Sequence, residues 1–328
     1  MLPIKIMLTY GCRLPNLKMQ VLTTGSAGFV GKSLLSALDA KQYRVCGATR
    51  SHKHCRSSFN SHVVGNIDAL TNWSEALTGA DAVIHLAARV HIMRDIARNP
   101  LAEFRRVNVD GTLNLARQAA AIGVRRFIFL STIGVNGNST PLGTVFSEND
   151  ASLPHDPYSV SKHEAEVGLR SISKSTGMEL VIIRPTLVHG SQAPGNFGRL
   201  TRLVAKGLPL PLASIDNRRS LVGVDNLISF IVTCLEHPSA GNETFLVSDG
   251  EDLSTPDLIR RMARAMDRPA RLLPVPKSVL MAAAAMLGQR DMAQRLCGSL
   301  QVDISKSRAL LGWNPPVSVD EGIRRAVK

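Results

Sequence analysis

Tyr158 and Lys162 stand four residues apart in the segment Tyr158-Ser159-Val160-Ser161-Lys162. On a helix that spacing is one turn, so both side chains leave the same face. A phenol with an ordinary pKa near 10 is a poor acid–base group at neutral pH. A neighbouring ammonium favours the phenolate and would bring it towards the working range. The spacing alone arises often by accident, so its surroundings decide its weight. Upstream, an apolar stretch ends in Leu130-Ser131-Thr132, which puts two hydroxyls, Ser131 and Thr132, at the end of a predicted strand. A hydroxyl there can hydrogen-bond a substrate carbonyl or alcohol beside Tyr158, at the carboxyl edge of a sheet where α/β active sites lie.

A second constellation is Gly25-Ser26-Ala27-Gly28-Phe29-Val30-Gly31, of the form GxxGxxG. It falls between a predicted strand and a predicted helix, the context that lifts such a motif above a plain turn. The glycines allow a tight turn and close backbone approach to a pyrophosphate, with Ala27, Phe29 and Val30 between them. The helix start supplies free N–H groups and a positive dipole end. The expectation is a bound nicotinamide dinucleotide. If that were NAD(H), an acidic residue would be expected about 20 positions on, at the end of the second strand. The strand instead ends Ala48-Thr49-Arg50. Arg50 suits the 2′-phosphate of NADP(H), so the sequence leans to NADP(H) and leaves NAD(H) open.

The elements that must carry these groups alternate. Strands are predicted at Gln20–Thr24, Arg44–Thr49, His62–Val64, Ala82–Leu86, Arg126–Ser131 and Leu180–Arg184. Helices are predicted over Gly31–Ala40, near Thr71–Leu77, through Phe104–Ile122 and over Tyr158–Thr176. Such alternation argues for βαβ units and a Rossmann-type doubly wound parallel sheet, class α/β. Residues 19–185 read as the dinucleotide-binding domain. After Pro185 the pattern loosens, with a helix at Val224–His237, a strand at Thr244–Val247 and a helix from Thr255. Residues 186–328 read as a smaller substrate-binding lobe, some of whose elements rejoin the first domain. Residues 1–18 read as a loose tail or a mis-assigned start, without the apolar core of a signal peptide.

Composition narrows the class. The chain has 328 residues, 44% of them apolar but only 4% aromatic, so its core is built from aliphatic side chains, as suits a buried parallel sheet. The formal charge of +13 favours anionic partners, yet the Lys and Arg residues are spread out and no basic cluster with interleaved aromatics marks a nucleic-acid surface. Five scattered cysteines without a CxxC pair read as free thiols in a reducing, cytoplasmic setting, with no metal site. The most apolar run, Val279–Leu287, is shorter than the ~18 residues that cross a bilayer. It reads as a buried or partner-facing helix, with peripheral membrane contact as the lesser alternative.

Taken together the motifs resemble the extended short-chain dehydrogenase/reductase family, especially its nucleotide-sugar (epimerase/dehydratase) branch. The resemblance runs from Met19 to the C-terminus. It is carried by Thr24–Gly31, His85-Leu86-Ala87-Ala88, Asn108-Val109-Asp110-Gly111-Thr112, Tyr158–Lys162, Arg184-Pro185 and Leu311-Gly312-Trp313. It implies that Tyr158 is the acid–base, Lys162 its partner and a ribose ligand, and Thr132, with Ser131 beside it, the active-site hydroxyl. Ala87 and Ala88 would line the cofactor. Asn66-Ile67 stands where an Asp–Ile pair meets adenine. Asn196 and Arg219 match residues that hold a uridine diphosphate group, and a homodimer is common in the family.

The residues after Thr132 narrow the reaction. Dehydratases of this branch carry an acidic pair there, whereas this chain reads Thr132-Ile133-Gly134-Val135-Asn136-Gly137. Dehydration needs its own acid and base, so hydride transfer alone remains. Arg50, the Gln301–Lys306 run and Arg184-Pro185 resemble reductases that form UDP-N-acetylquinovosamine from UDP-4-keto-6-deoxy-N-acetylglucosamine for O-antigen. That reduction is the leading expectation. A UDP-sugar 4-epimerase is the alternative, with a 3β-hydroxysteroid-type dehydrogenase and a non-catalytic dinucleotide sensor behind it.

Overall fold

The computed structural model describes residues 19–52, 59–90, 99–141 and 143–328, with the backbone only at 291 and 292. The expected tail at 1–18, and with it Cys12 and Cys55, lies outside the described residues.

Seven strands form one parallel sheet: β1 (Gln20–Thr24), β2 (Arg44–Thr49), β3 (Asn60–Val63), β4 (Ala82–His85), β5 (Arg126–Leu130), β6 (Glu179–Pro185) and β9 (Thr244–Val247). Their order is β3-β2-β1-β4-β5-β6-β9, each pair parallel. Chain direction across the sheet reverses between β1 and β4, which opens the crevice where such sheets bind ligands. Thr24 pairs with His85 there, so the loops leaving β1 and β4 start side by side. Three further strands, β7 (Leu187–His189), β8 (Arg219–Gly223) and β10 (Asp252–Leu253), make a small sheet ordered β10-β8-β7.

The described residues also form twelve α-helices. In the first half they are α1 (Phe29–Ala40), α2 (Ser74–Leu77), α3 (Pro100–Arg105), α4 (Thr112–Ala121) and α5 (Pro157–Thr176). In the second they are α6 (Gly195–Ala205), α7 (Val224–Glu236), α8 (Thr255–Ala265), α9 (Lys277–Met286), α10 (Arg290–Cys297), α11 (Ser305–Leu311) and α12 (Val319–Val327). One face of the large sheet is covered by α1 and α7, through Leu34, Leu38, Leu227 and Ile231. The other is covered by α2, α4 and α5, through Leu77, Leu115, Ala165 and Leu169. A separate core joins α6, α8 and α12. Both sheet faces are thus buried, which is why the strands read as near-continuous apolar runs. β9 and α7 come from beyond residue 185 yet belong to the large sheet and its cover.

The helix expected over Phe104–Ile122 differs in an informative way. It begins earlier, at Pro100, where the Asn99 side chain caps it by accepting from the Ala102 N–H at 3.1 Å. Its middle, Arg106–Gly111, is a π turn. An added Cβ at Gly111 would lie 2.6 Å from Ile67 Cγ2, so only glycine lets this turn press on the loop after β3.

Candidate active site

The glycine loop leaves β1 at the crevice. Gly25 has φ +68°, a left-handed conformation that favours glycine, and an added Cβ there would lie 2.8 Å from the Ala87 nitrogen. A Cβ on Gly31 would fall on the Gly25 carbonyl oxygen. The Gly28 N–H closes the turn on that same carbonyl at 2.9 Å, and α1 begins at the next residue. The segment is therefore a bare-backbone cradle at a helix start, the shape that accepts a pyrophosphate. Below it, buried His85 bridges the Thr24 and Thr112 hydroxyls at 2.7 and 2.9 Å. The Ala87 N–H donates to Thr24 Oγ1 at 3.2 Å. Burial and the nearby Lys162 hold the His85 imidazole down to about 3, so it is neutral and serves as a strut.

The catalytic candidates sit across β5. Lys162 is fully buried, with Nζ 3.8 Å from the centre of the Phe129 ring on β5. Tyr158 lies one turn earlier, towards the carboxyl end of that strand, edge-on to Phe104 at 6.1 Å. Thr132 comes after the strand in extended conformation, and its Oγ1 accepts from the Gly134 N–H at 3.1 Å. Gly134 in turn packs on Ser159, where a Cβ would overlap the Ser159 hydroxyl. Thr132, Tyr158 and Lys162 are thereby brought to one edge. Ser131 is not part of this group: its hydroxyl donates to Glu166 Oε1 at 2.5 Å inside the core.

The electrostatics differ from the simple phenolate expectation. Burial, and then the Asp156 carboxylate, push the Tyr158 phenol up. Burial drives the Lys162 ammonium down to about 7, against the opposing pull of Glu166. At neutral pH the ammonium is therefore only partly charged, and the phenol keeps its proton.

Asn108 belongs to a motif that gave it no role, and it braces the site. From the π turn its Oδ1 accepts from the Arg89 N–H at 2.8 Å, and its Nδ2 donates to Arg89 O at 3.0 Å and to Ser161 Oγ at 2.9 Å. Ser161 Oγ donates to Tyr158 O at 2.7 Å. The available signal was an Asn and a Gly in the middle of a predicted helix, where both are unfavourable.

The other expected contacts are more spread out. Ala87 and Ala88 come after β4 against the glycine loop. Arg50 is exposed at the end of β2, next to β3. Asn66 is exposed and its carbonyl accepts from Thr71, while Ile67 lies against Gly111. Arg219 and Asn196 both lie near α10, in separate contacts. Arg219 Nη1 donates to Gly298 O at 3.0 Å, whereas Asn196 shares a groove with Leu296. Burial, and then the neighbouring Arg295, pull the Arg219 guanidinium down to about 10. Two close arginines with one desolvated invite an anion between them. Arg295 also reaches Asp156, the N-cap of α5, at 3.6 Å, linking this pair to the helix that carries Tyr158. No group of three or more metal-ligating side chains occurs among the described residues.

The chain is similar to known proteins along most of its length. Over 309 residues, 94% of both chains, the sequence is 44% identical to a UDP-glucose 4-epimerase of Vibrio cholerae. It is 27% identical, over 94% of both chains, to an Escherichia coli O157:H7 N-acetyl-alpha-D-glucosaminyl-diphospho-ditrans,octacis-undecaprenol 4-epimerase. Among solved structures, a UDP-glucuronic acid 4-epimerase of Bacillus cereus in complex with NAD superposes with a TM-score of 0.76 at 25% identity, covering 94% of this chain and 96% of the other. Residues 21–248 match the NAD dependent epimerase/dehydratase family. With its glycine cradle, its Tyr158–Lys162 turn and this match, the chain belongs to the NAD-dependent epimerase/dehydratase family of extended short-chain dehydrogenases/reductases.

Proposed function

We propose that this chain is a UDP-sugar 4-epimerase, which inverts the C4 hydroxyl of a UDP-linked hexose by oxidation and re-reduction. The observation that carries this reading is the 44% identity over 94% of both chains with the Vibrio cholerae UDP-glucose 4-epimerase. It takes precedence over the quinovosamine-type reduction that the sequence motifs favoured.

Each group has its own share of the work. The backbone of Gly25–Gly31 and the Ala87–Ala88 segment hold the dinucleotide, and Lys162 reaches its ribose hydroxyls. When bound, that group accepts a hydride and returns it. Thr132, with its oxygen already accepting from Gly134, donates its hydroxyl hydrogen to the oxygen on C4. Tyr158 exchanges the proton of that same oxygen, as acid when the ketone is reduced and as base when the alcohol is oxidised. Lys162 sets the balance between the two, since its charge, when present, favours the phenolate. Arg219 and Arg295 hold the diphosphate, whereas Asn196 lines the groove with Leu296 and is left out of that contact. Dehydration has no acid after Thr132 to run it.

A single 4-keto reduction with exchangeable NADP(H) is the second reading, favoured by exposed Arg50 in place of an acid at the end of β2. One experiment separates the two. Incubation with UDP-glucose, or with UDP-N-acetylglucosamine, in the absence of added cofactor should give the C4 epimer with no net change in 340 nm absorbance. Consumption of NADPH with UDP-4-keto-6-deoxy-N-acetylglucosamine, and no epimer from either hexose, would reverse the assignment to the reductase.

A further inference from the structure

We propose that helix α9 and the basic surface around it dock this protein on an anionic membrane surface. The starting point is an anomaly of α9. Its sequence from Val279 to Leu287 is Val-Leu-Met-Ala-Ala-Ala-Ala-Met-Leu, with no polar side chain. A helix apolar on every face is normally enclosed by protein or lipid. Here no residue of α9 is buried. Leu280 and Met281 rest on the core of the second lobe, while Val279, Met286 and Leu287 are 54%, 83% and 75% exposed. Leu273 just before the helix is also exposed.

The apolar surface continues beyond the helix. The strip Leu208–Leu212 is joined to the segment leading into α9 by hydrogen bonds from Leu210 N to Arg271 O and from Leu273 N to Leu210 O. It brings exposed Leu203 and Leu208 alongside. A groove of about 500 Å³ between α6 and α10, lined by Leu200, Leu203 and Leu296, completes the patch.

The charges around this patch are mostly positive, with the exposed Asp216 and Asp267 as carboxylates beside them. Arg202, Lys206, Arg268, Arg271, Lys277 and Arg290 are all exposed. The stretches that supply them, Arg199–Ile215 and Arg268–Arg290, hold no acidic residue themselves, and Asp216, Asp267 and Asp291 stand directly at their ends, so the cations are in excess. None of the six forms an ion pair among the described residues, although elsewhere in the lobe arginines do, as Arg261 does with Glu251 and Asp320. An exposed apolar helix with an excess of Lys and Arg around it offers both attractions that hold a protein at a membrane surface, apolar side chains for the headgroup boundary and cations for anionic lipid. A second copy of the chain fits less well. A two-fold interface would set Arg271, Lys277 and Arg290 against the same residues of the other copy, with too few carboxylates in the patch, Asp216 and Asp267, to balance the cations of both. The surface is independent of which sugar reaction the site runs.

The test uses the full-length protein and sedimentation with vesicles. Vesicles of phosphatidylcholine with about 30 mol % phosphatidylglycerol should pull down at least about tenfold more protein than phosphatidylcholine alone. About 0.5 M NaCl should release most of it. The double variant Met286→Asp, Leu287→Asp, at two exposed positions, should cut vesicle binding by about tenfold or more with an unchanged thermal midpoint. The pair Lys277→Glu, Arg290→Glu should remove the preference for the anionic vesicles. Wild-type protein that ignores the anionic vesicles overturns the proposal, as does binding that the Asp variant leaves intact. Self-association of the wild type that the Asp variant abolishes, without vesicle binding, would assign the patch to a second copy instead.

Discussion

Removing the positive half of the buried ion pair between β6 and α5 should cost the fold far more than any surface charge. Arg184 Nη2 meets Glu166 Oε2 at 2.5 Å and Nε meets Oε1 at 3.0 Å, a two-pronged contact with side chains only 5% and 2% exposed. Arg184 Nη1 also donates to Asn136 Oδ1 at 2.9 Å, and Ser131 donates to Glu166. Arg184→Met strands the Glu166 carboxylate in the core, which typically costs about 3–5 kcal/mol. That is a large share of a total stability of roughly 5–15 kcal/mol. Arg184→Met combined with Glu166→Leu removes both charges and should return to within about 2 kcal/mol of wild type, because the desolvation penalty goes with them. Urea unfolding of the cofactor-free protein, with slopes held equal between variants, measures both numbers. A loss under about 1 kcal/mol for Arg184→Met, or a double variant as unstable as the sum of the singles, would refute the reasoning.

Three other outcomes are expected at the site. Tyr158→Phe should lower kcat by about 10²–10⁴-fold while the dinucleotide still binds, measured by turnover and by fluorescence titration. Burial sets the folded Lys162 pKa near 7, below its unfolded value. The folded protein therefore binds fewer protons than the unfolded chain, and the resulting cost is full below about pH 7 and fades as pH rises towards about 10.4. Lys162→Met should accordingly raise the thermal midpoint of the cofactor-free protein most at about pH 6 and less at about pH 9, and a pH-independent difference would count against it. Arg50→Ala should weaken binding of NADPH more than that of NADH in fluorescence titration of the cofactor-free protein, and equal effects would remove the case for a 2′-phosphate contact.

The large sheet was readable because a parallel sheet buried on both faces imposes a pattern on sequence. β1, β2 and β9 have the bounds read from the sequence, and β4, β5 and β6 differ by a residue or two. The chain after Pro185 hid more. β7 and β10 are three and two residues long, too short to show alternation. α6 begins with Gly195-Asn196 and was masked by its glycines. α9 was expected to be buried or partner-facing, and none of its residues is buried, because composition reports apolarity and not where a helix is placed. At the candidate site, the grouping of Tyr158, Lys162 and Thr132 at one edge was legible because the i, i+4 spacing on a helix and the end of a strand are patterns that sequence shows. Ser131 looked equivalent to Thr132 in sequence. Its alternate position on the strand turns its side chain to the other face, where Glu166 takes it.

The π turn explains how one stretch of poor helix formers serves the site. Asn108, Gly111 and β-branched Val107 and Val109 would each weaken a regular α-helix. One extra residue in the turn shifts the phase of the next helix, α4, and lets a side chain stand clear of the helix axis. Asn108 uses that freedom to hold both the backbone of Arg89, in the loop after β4, and Ser161, on α5. The loop adjoins the glycine turn through Ala87, and α5 carries Tyr158 and Lys162. The buried Asn108 amide, placed by the π turn, therefore ties the loop beside the glycine turn to the helix that carries Tyr158 and Lys162.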